Sequence, residues 1–254
     1  MIDSIETTGQ KTDPLWYSPL YVFSYVNKLV EKGYSIDELD IRFKQLRESK
    51  LLAVLALALC EKMNNITLFQ PVSKDPPDGY LAQQSKVVKG QLDISTVEIT
   101  HYYGINFKGN GNESLLDQLI KSGKIAEKSK YSDHYILAVE LLTKEGVNYD
   151  EIREYVNDIK LPYPIWTIKK LRDAPDTIAE VIIINPKTNR MEINVGKSAF
   201  YYSGQKIPNV TKAIMVKDPS EVRTERTNEV FAVTPPWEID EKKLLRFNKP
   251  NKRA

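Results

Sequence analysis

The chain is predicted to be an α/β protein with a mixed central sheet, N-terminal helices and an irregular, strand-containing C-terminal region. Three observations predict it. The run "LLAVLALALC", Leu51–Cys60, is apolar almost all round, as in a buried helix. Three short β-type runs follow, "NITLFQPV", "GYLAQQS" and "DISTVEITHYY", separated by "SKDPPD" and "KVVKGQ". Then "HYILAVELL" is a continuous apolar run, the signature of a strand buried on both faces. From about Ile36 to Leu142 the order is helix, three strands, helix, strand.

The elements justify themselves in turn. "SPLYVFSYVNKLVEKGY" predicts a helix with Ser18 as N-cap, Pro19 at the first helical position and Gly33 as stop. Ser35–Glu38, "SIDE", is a capping-box pattern opening a second helical stretch that reaches about Met63, with a break expected near Glu48–Lys50. After the three strands, "GINFKGNGNES" reads as a loop, with Ser114 or Asn112 capping a helix from about Leu115 to Lys130. "NYDEIREYVNDIKL" reads as a surface helix. "YPIWTIKKL", "AEVIIINP" and "RMEINVG" read as strands, with a turn at "NPKTNR". Beyond Ala199 weak strands are expected at "KAIMV" and "EVFAV". We divide the chain into an N-terminal helical extension (1–34), an α/β core (35–199) and a C-terminal extension with a basic tail (200–254).

Composition excludes several classes. The 254 residues are 41% hydrophobic and 28% charged, an ordinary globular balance. A single cysteine, Cys60, rules out an internal disulfide framework and suits a reducing compartment. The longest apolar run falls well short of the roughly 20 residues of a membrane span. No signal-peptide core precedes it, so a soluble cytoplasmic protein without a membrane partner is expected. Net charge is only +2, which argues for no particular partner. The last fourteen residues carry six Lys/Arg against one Glu, a pattern read as a solvated terminus.

The residues that could carry chemistry are Asp78, after Pro76-Pro77, and Glu98, on the third strand. Hydrolysis of a phosphodiester with metal assistance needs hard oxygen ligands around Mg²⁺, with open positions for water and a phosphate oxygen. A hairpin turning near Lys86–Gln91 supplies two such acids. Strand alternation sets Glu98 and Thr100 on one face, expected to open outward into a site, with Val97 and Ile99 packed on the other. The structural alternative is a turn-capping Asp78 and a Glu98 on the wet face of a sheet.

"PPD" at Pro76–Asp78, "VEIT" at Val97–Thr100 and the order of elements resemble the PD-(D/E)xK nuclease superfamily, with its restriction-endonuclease-like αβββαβ core. The resemblance covers roughly Ile36 to Leu142. It implies a metal-dependent nuclease, acting on nucleic acid and above all DNA, with Mg²⁺ (Mn²⁺ as substitute) held by Asp78 and Glu98. Thr100 departs from the pattern, since it stands where the family carries its lysine. The family lysine positions or activates water and neutralises charge at phosphorus, and some members bring it from the following helix. That helix here offers Lys121, Lys124, Lys128 and Lys130. On a helical projection Lys124 lies at the edge of the buried stripe and Lys128 follows one turn later, so Lys124 is the first choice and Lys128 the second. Thr100 would fill the vacated slot as a hydrogen-bonding neighbour. The resemblance also implies a glutamate from the first helix as a further metal or water ligand, Glu48 in preference to Glu61. A nuclease-like module that binds nucleic acid or assembles with other proteins without cutting is the alternative. The N-terminal helices and the strands after Pro164 are where recognition or a homodimer contact would be built.

Other motifs fall away. His101 and His134 are too few for a histidine-rich zinc site. "NFKGNGNES" lacks the Gly-Lys-Ser/Thr of a phosphate loop, and "VGKSAF" has Met191 where the loop's first glycine belongs. Trp237, beside two prolines, reads as a packing anchor.

Overall fold

The structure is a computed structural model and describes residues 16–31, 44–63, 67–72, 77–85, 88, 91–104, 111–126, 131, 135–171, 177–185, 190–196 and 212–215. It is mixed α/β, as the sequence predicts. By its contacts the chain divides within one strand, after Ile94, into a first unit built mainly from residues 1–94 and a second built mainly from residues 95–198.

The first unit opens with α1, Pro19–Glu31. Ser18 caps it, accepting from the Leu20 N–H at 3.3 Å, and Pro19 takes the first helical position, where its missing N–H costs nothing. Val22, Tyr25 and Leu29 form its buried stripe. Helix α2, Lys44–Met63, runs through Glu48–Lys50 without the expected break, because this stretch holds no proline or glycine to interrupt its ladder. Every residue from Leu51 to Cys60 is buried, with α1 and strands β1 (Thr67–Pro71) and β2 (Gly79–Gln84) packed on it. Strands β1 and β2 pair antiparallel, and the Val72 N–H donates to the Asp78 carbonyl at 2.9 Å beside their connection. Gly79 lies so close to α2 that a Cβ there would collide with Leu52 Cδ1 and approach the Gln70 carbonyl oxygen to 2.8 Å. Strand β3, Gln91–Tyr102, begins in this unit next to β2; the Ser85 N–H donates to the Gln91 carbonyl at 2.9 Å, where the sequence predicts the hairpin turn.

In the second unit the sheet order is β3-β4-β5-β6-β7. Strands β4 (Tyr135–Leu141) and β5 (Ile165–Lys170) run parallel to β3, whereas β6 (Thr177–Ile184) and β7 (Met191–Gly196) continue antiparallel. The parallel strands are buried on both faces, which is why "YILAVEL" shows no alternation. On one face Leu137, Val139 and Leu141 of β4 join Leu115, Leu116 and Leu119 of α3 (Leu115–Lys121) and Ile152 and Val156 of α4 (Tyr149–Asp158) in a single core. Asn148 caps α4. A short strand, β8 (Lys212–Met215), pairs with β3 at the expected "KAIM". The expected stop at Gly33, the capping box at Ser35–Glu38, the "EVFAV" strand, Trp237 and the basic tail lie outside the described residues.

Candidate functional site

Helix α3 is shorter than the sequence suggests, and this decides where its lysines go. Ser114, rather than Asn112, is its N-cap, accepting from the Asp117 N–H at 3.1 Å. The helix ends at Lys121 instead of about Lys130, because Gly123 adopts φ +67°, a left-handed conformation that only glycine takes cheaply. The Gly123 and Lys124 N–H groups turn back onto the carbonyls of Ile120 (2.9 Å) and Leu119 (3.0 Å) and close the end. Ile125 is fully buried and anchors the chain just beyond. Lys124 therefore leaves from a turn, and the helical face on which it was expected to precede Lys128 does not exist at that point. Lys128 lies outside the described residues.

From this turn Lys124 reaches Glu98. Its ammonium forms an ion pair with Glu98 Oε1 and donates to the Tyr131 hydroxyl at 3.1 Å. Tyr131 in turn donates to the same Oε1 at 3.1 Å, so ammonium, phenol and carboxylate close a triangle. The ammonium also lies 5.6 Å from the centroid of the Tyr131 ring. Tyr163 meets that ring edge-on, at 5.9 Å and 86°. Its hydroxyl donates to the Lys124 carbonyl at 2.6 Å. One tyrosine thus holds the lysine by its tip and the other by its backbone. Burial pulls the Lys124 pKa down, but the hydrogen bonds it donates to Glu98 and Tyr131 outweigh it, and the group ends above its ordinary value. The ammonium is charged at neutral pH.

Glu98 does not face outward as expected. It is only 8% exposed, because β3 is an interior strand and its Glu98 face lies on the side covered by the α3–α4 core. Thr100, two residues along on the same face, is half-buried and registers with Val139. Glu98 Oε2 is buried and has no hydrogen-bond partner among the described residues. An orphaned carboxylate oxygen is the type of donor that a hard cation takes, and Glu98 supplies one such oxygen.

The other expected ligands belong to the first unit. Asp78 directly precedes β2 and is 6% exposed, and Glu48, on α2, is 9% exposed; each has polar or ionic partners. Among the described residues no group of three or more His, Cys, Asp or Glu side chains converges as a metal site. Cys60 is buried, as expected, and its sulfur accepts from the Thr67 N–H at 3.2 Å. Sequence reasoning missed Tyr131 and Tyr163. The available signal was Tyr131 alone among the polar residues of "EKSKYSD", an aromatic with a hydroxyl where no apolar periodicity calls for one. The chain matches no protein-family model and no curated protein sequence.

Proposed function

We propose that the protein is a metal-dependent nuclease that hydrolyses phosphodiester bonds, with DNA as substrate, on a restriction-endonuclease-like core. The observation that carries this reading is the lysine supplied to Glu98 from outside β3, at the strand where Thr100 leaves the family position without one. The order α2, β1–β2–β3, α3, β4, with β4 parallel to β3, also supports it. In this reading Glu98 and Asp78 would hold Mg²⁺ or Mn²⁺, with Glu48 as a further ligand, and the ion would supply Lewis-acid chemistry at the phosphate and the attacking water. Lys124, charged and fixed by Tyr131, stands beside the carboxylate to neutralise charge developing on the phosphoryl oxygens. Thr100 offers a hydroxyl next to Glu98. Water adds to phosphorus, the bond to the leaving oxygen breaks, and that oxygen takes up a proton.

A module that binds nucleic acid or assembles without cutting is the second reading. It is favoured by Thr100 and by the near-neutral charge of +2. One assay separates the two. Purified protein is incubated with supercoiled and linear DNA, single strands and RNA, in Mg²⁺, Mn²⁺ or EDTA, beside Asp78→Ala, Glu98→Ala and Lys124→Met. The nuclease reading expects cleavage that EDTA abolishes, that neither alanine variant retains, and that Lys124→Met lowers by about a hundredfold or more. If the wild type is as inert as the variants on every substrate, the non-cutting reading takes its place.

A further inference from the structure

The carboxylate of Glu98 is supported unevenly. Both of its donors, the Lys124 ammonium and the Tyr131 hydroxyl, meet Oε1, the hydroxyl at 3.1 Å. Oε2 is buried and has no hydrogen-bond partner among the described residues. An ionised carboxylate accepts on both oxygens, and a buried oxygen left without a donor is costly. Neutralising a buried charge is served better by one donor on each oxygen. Two donors on one oxygen instead fix the carboxylate and leave its other oxygen open. Tyr131 has fewer torsions to hold than the long stem of Lys124. Its ring, 6% exposed, meets Tyr163 edge-on and lies 5.1 Å from the Tyr135 ring at 42°. The Tyr131 hydroxyl also accepts from Lys124 at 3.1 Å, so it sets lysine and carboxylate together.

We propose that Tyr131 is a positioning residue that makes Glu98 a one-oxygen ligand and so biases it toward Mg²⁺ over Ca²⁺. The inference rests on Glu98 as a metal ligand of the proposed nuclease. With Oε1 engaged twice, Glu98 offers Oε2 alone. Mg²⁺ is small and demands near-octahedral geometry, which a single fixed oxygen suits. Ca²⁺ gathers more oxygens in looser geometry and readily takes both from one carboxylate. Tyr131 acts through Glu98 and Lys124 rather than on the substrate. Hydrogen-bonding partners of metal-binding side chains commonly matter about 10–100-fold for metal affinity.

The test uses the full chain with metal ions alone, without nucleic acid. Mn²⁺ binding is followed by loss of the free-ion electron paramagnetic resonance signal, with Mg²⁺ and Ca²⁺ titrated as competitors. In Tyr131→Phe the Mg²⁺ affinity is expected to fall by about tenfold or more. The Ca²⁺ affinity is expected to fall much less, so the preference for Mg²⁺ narrows. A structural loss, such as partial unfolding, lowers both affinities alike and leaves their ratio unchanged. Tyr135→Phe is the control, since it removes a hydroxyl from the neighbouring ring and none from the triangle. Its ratio is expected to match the wild type. An unchanged ratio in Tyr131→Phe, an equal change in Tyr135→Phe, or no Mn²⁺ binding by the wild type overturns the inference. DNA cleavage with an unchanged ratio leaves the nuclease standing and removes this role from Tyr131. A narrowed ratio without cleavage keeps the role, in a module that does not cut.

Discussion

At Glu98 a carboxylate lies inside an apolar strand face, and among the described residues Lys124 and Tyr131 make that position tolerable for a charge. A buried ion pair is not by itself a source of stability, since two desolvation costs offset much of its attraction. Removing one partner leaves a bare buried charge and is expensive. Lys124→Met should therefore lower stability by about 3 kcal/mol, read from urea unfolding midpoints. The double variant Lys124→Met/Glu98→Met should recover most of that loss, because an apolar pair needs no counter-ion. A double variant as unstable as the single one would mean that Lys124 acts through packing rather than charge. Tyr131→Phe keeps the ring against Tyr163 and removes the hydroxyl's bonds with Lys124 and Glu98, so about 1–2 kcal/mol is expected from the same measurement.

Two glycines govern the elements that carry this chemistry. Gly123 ends α3 in the left-handed region, and the next residue is Lys124. Gly123→Ala should cost about 1 kcal/mol for the backbone alone. In the proposed nuclease it should also lower cleavage more than that loss of stability explains, because the turn aims the lysine. Gly79 follows Asp78 and touches α2, so Gly79→Ala must push Leu52 or open the β1–β2 pair. About 1–3 kcal/mol is expected, measured as a fall in the thermal midpoint. These positions also mark how far the sequence was legible. The strands were readable because each carries its own local pattern, and Ser18-Pro19 and Ser114 are local signals too. The end of α3 differs from the expectation because the stripe read from the sequence, Leu115, Leu116, Leu119, Ile120 and Ala126, runs past Lys121; in the structure Ile120 is exposed, and Ile125 is buried from a turn instead. Glu98 was expected to be outward because alternation identifies the two faces of a strand without saying which is covered. Lys124 beside Glu98 is legible only through the family resemblance, and its tyrosine partners are not legible at all, since Tyr131 and Tyr163 reach it only through the packing of the second unit.

On the scale of the whole molecule, the row of His101 on β3, Glu140 on β4 and Lys170 on β5 ties a charged cluster to the interior of the second unit's sheet. His101 Nε2 lies 3.2 Å from Glu140 Oε2, and the Lys170 ammonium stands 2.5 Å from Glu140 Oε1. No helix among the described residues is long and apolar enough to cross a membrane. Burial pushes the Glu140 carboxyl up, but His101 and Lys170 outweigh burial and hold it below its ordinary value. A carboxylate depressed in the folded state binds its proton more readily once the chain unfolds. Its stabilising contribution is thus complete above the unfolded value of about 4.3 and is lost as the pH falls through the folded one. Glu140→Gln abolishes this linkage and leaves Lys170 without its carboxylate. At pH 7 the variant should be less stable by roughly 3 kcal/mol. The gap to the wild type should narrow as the pH falls below the usual carboxylate range. Denaturant midpoints for the two proteins, measured from neutral to acid pH, provide the comparison. A gap that stays constant into acid would show that the loss comes from the shape of the side chain, whereas a closing gap assigns it to the charge that β3, β4 and β5 share.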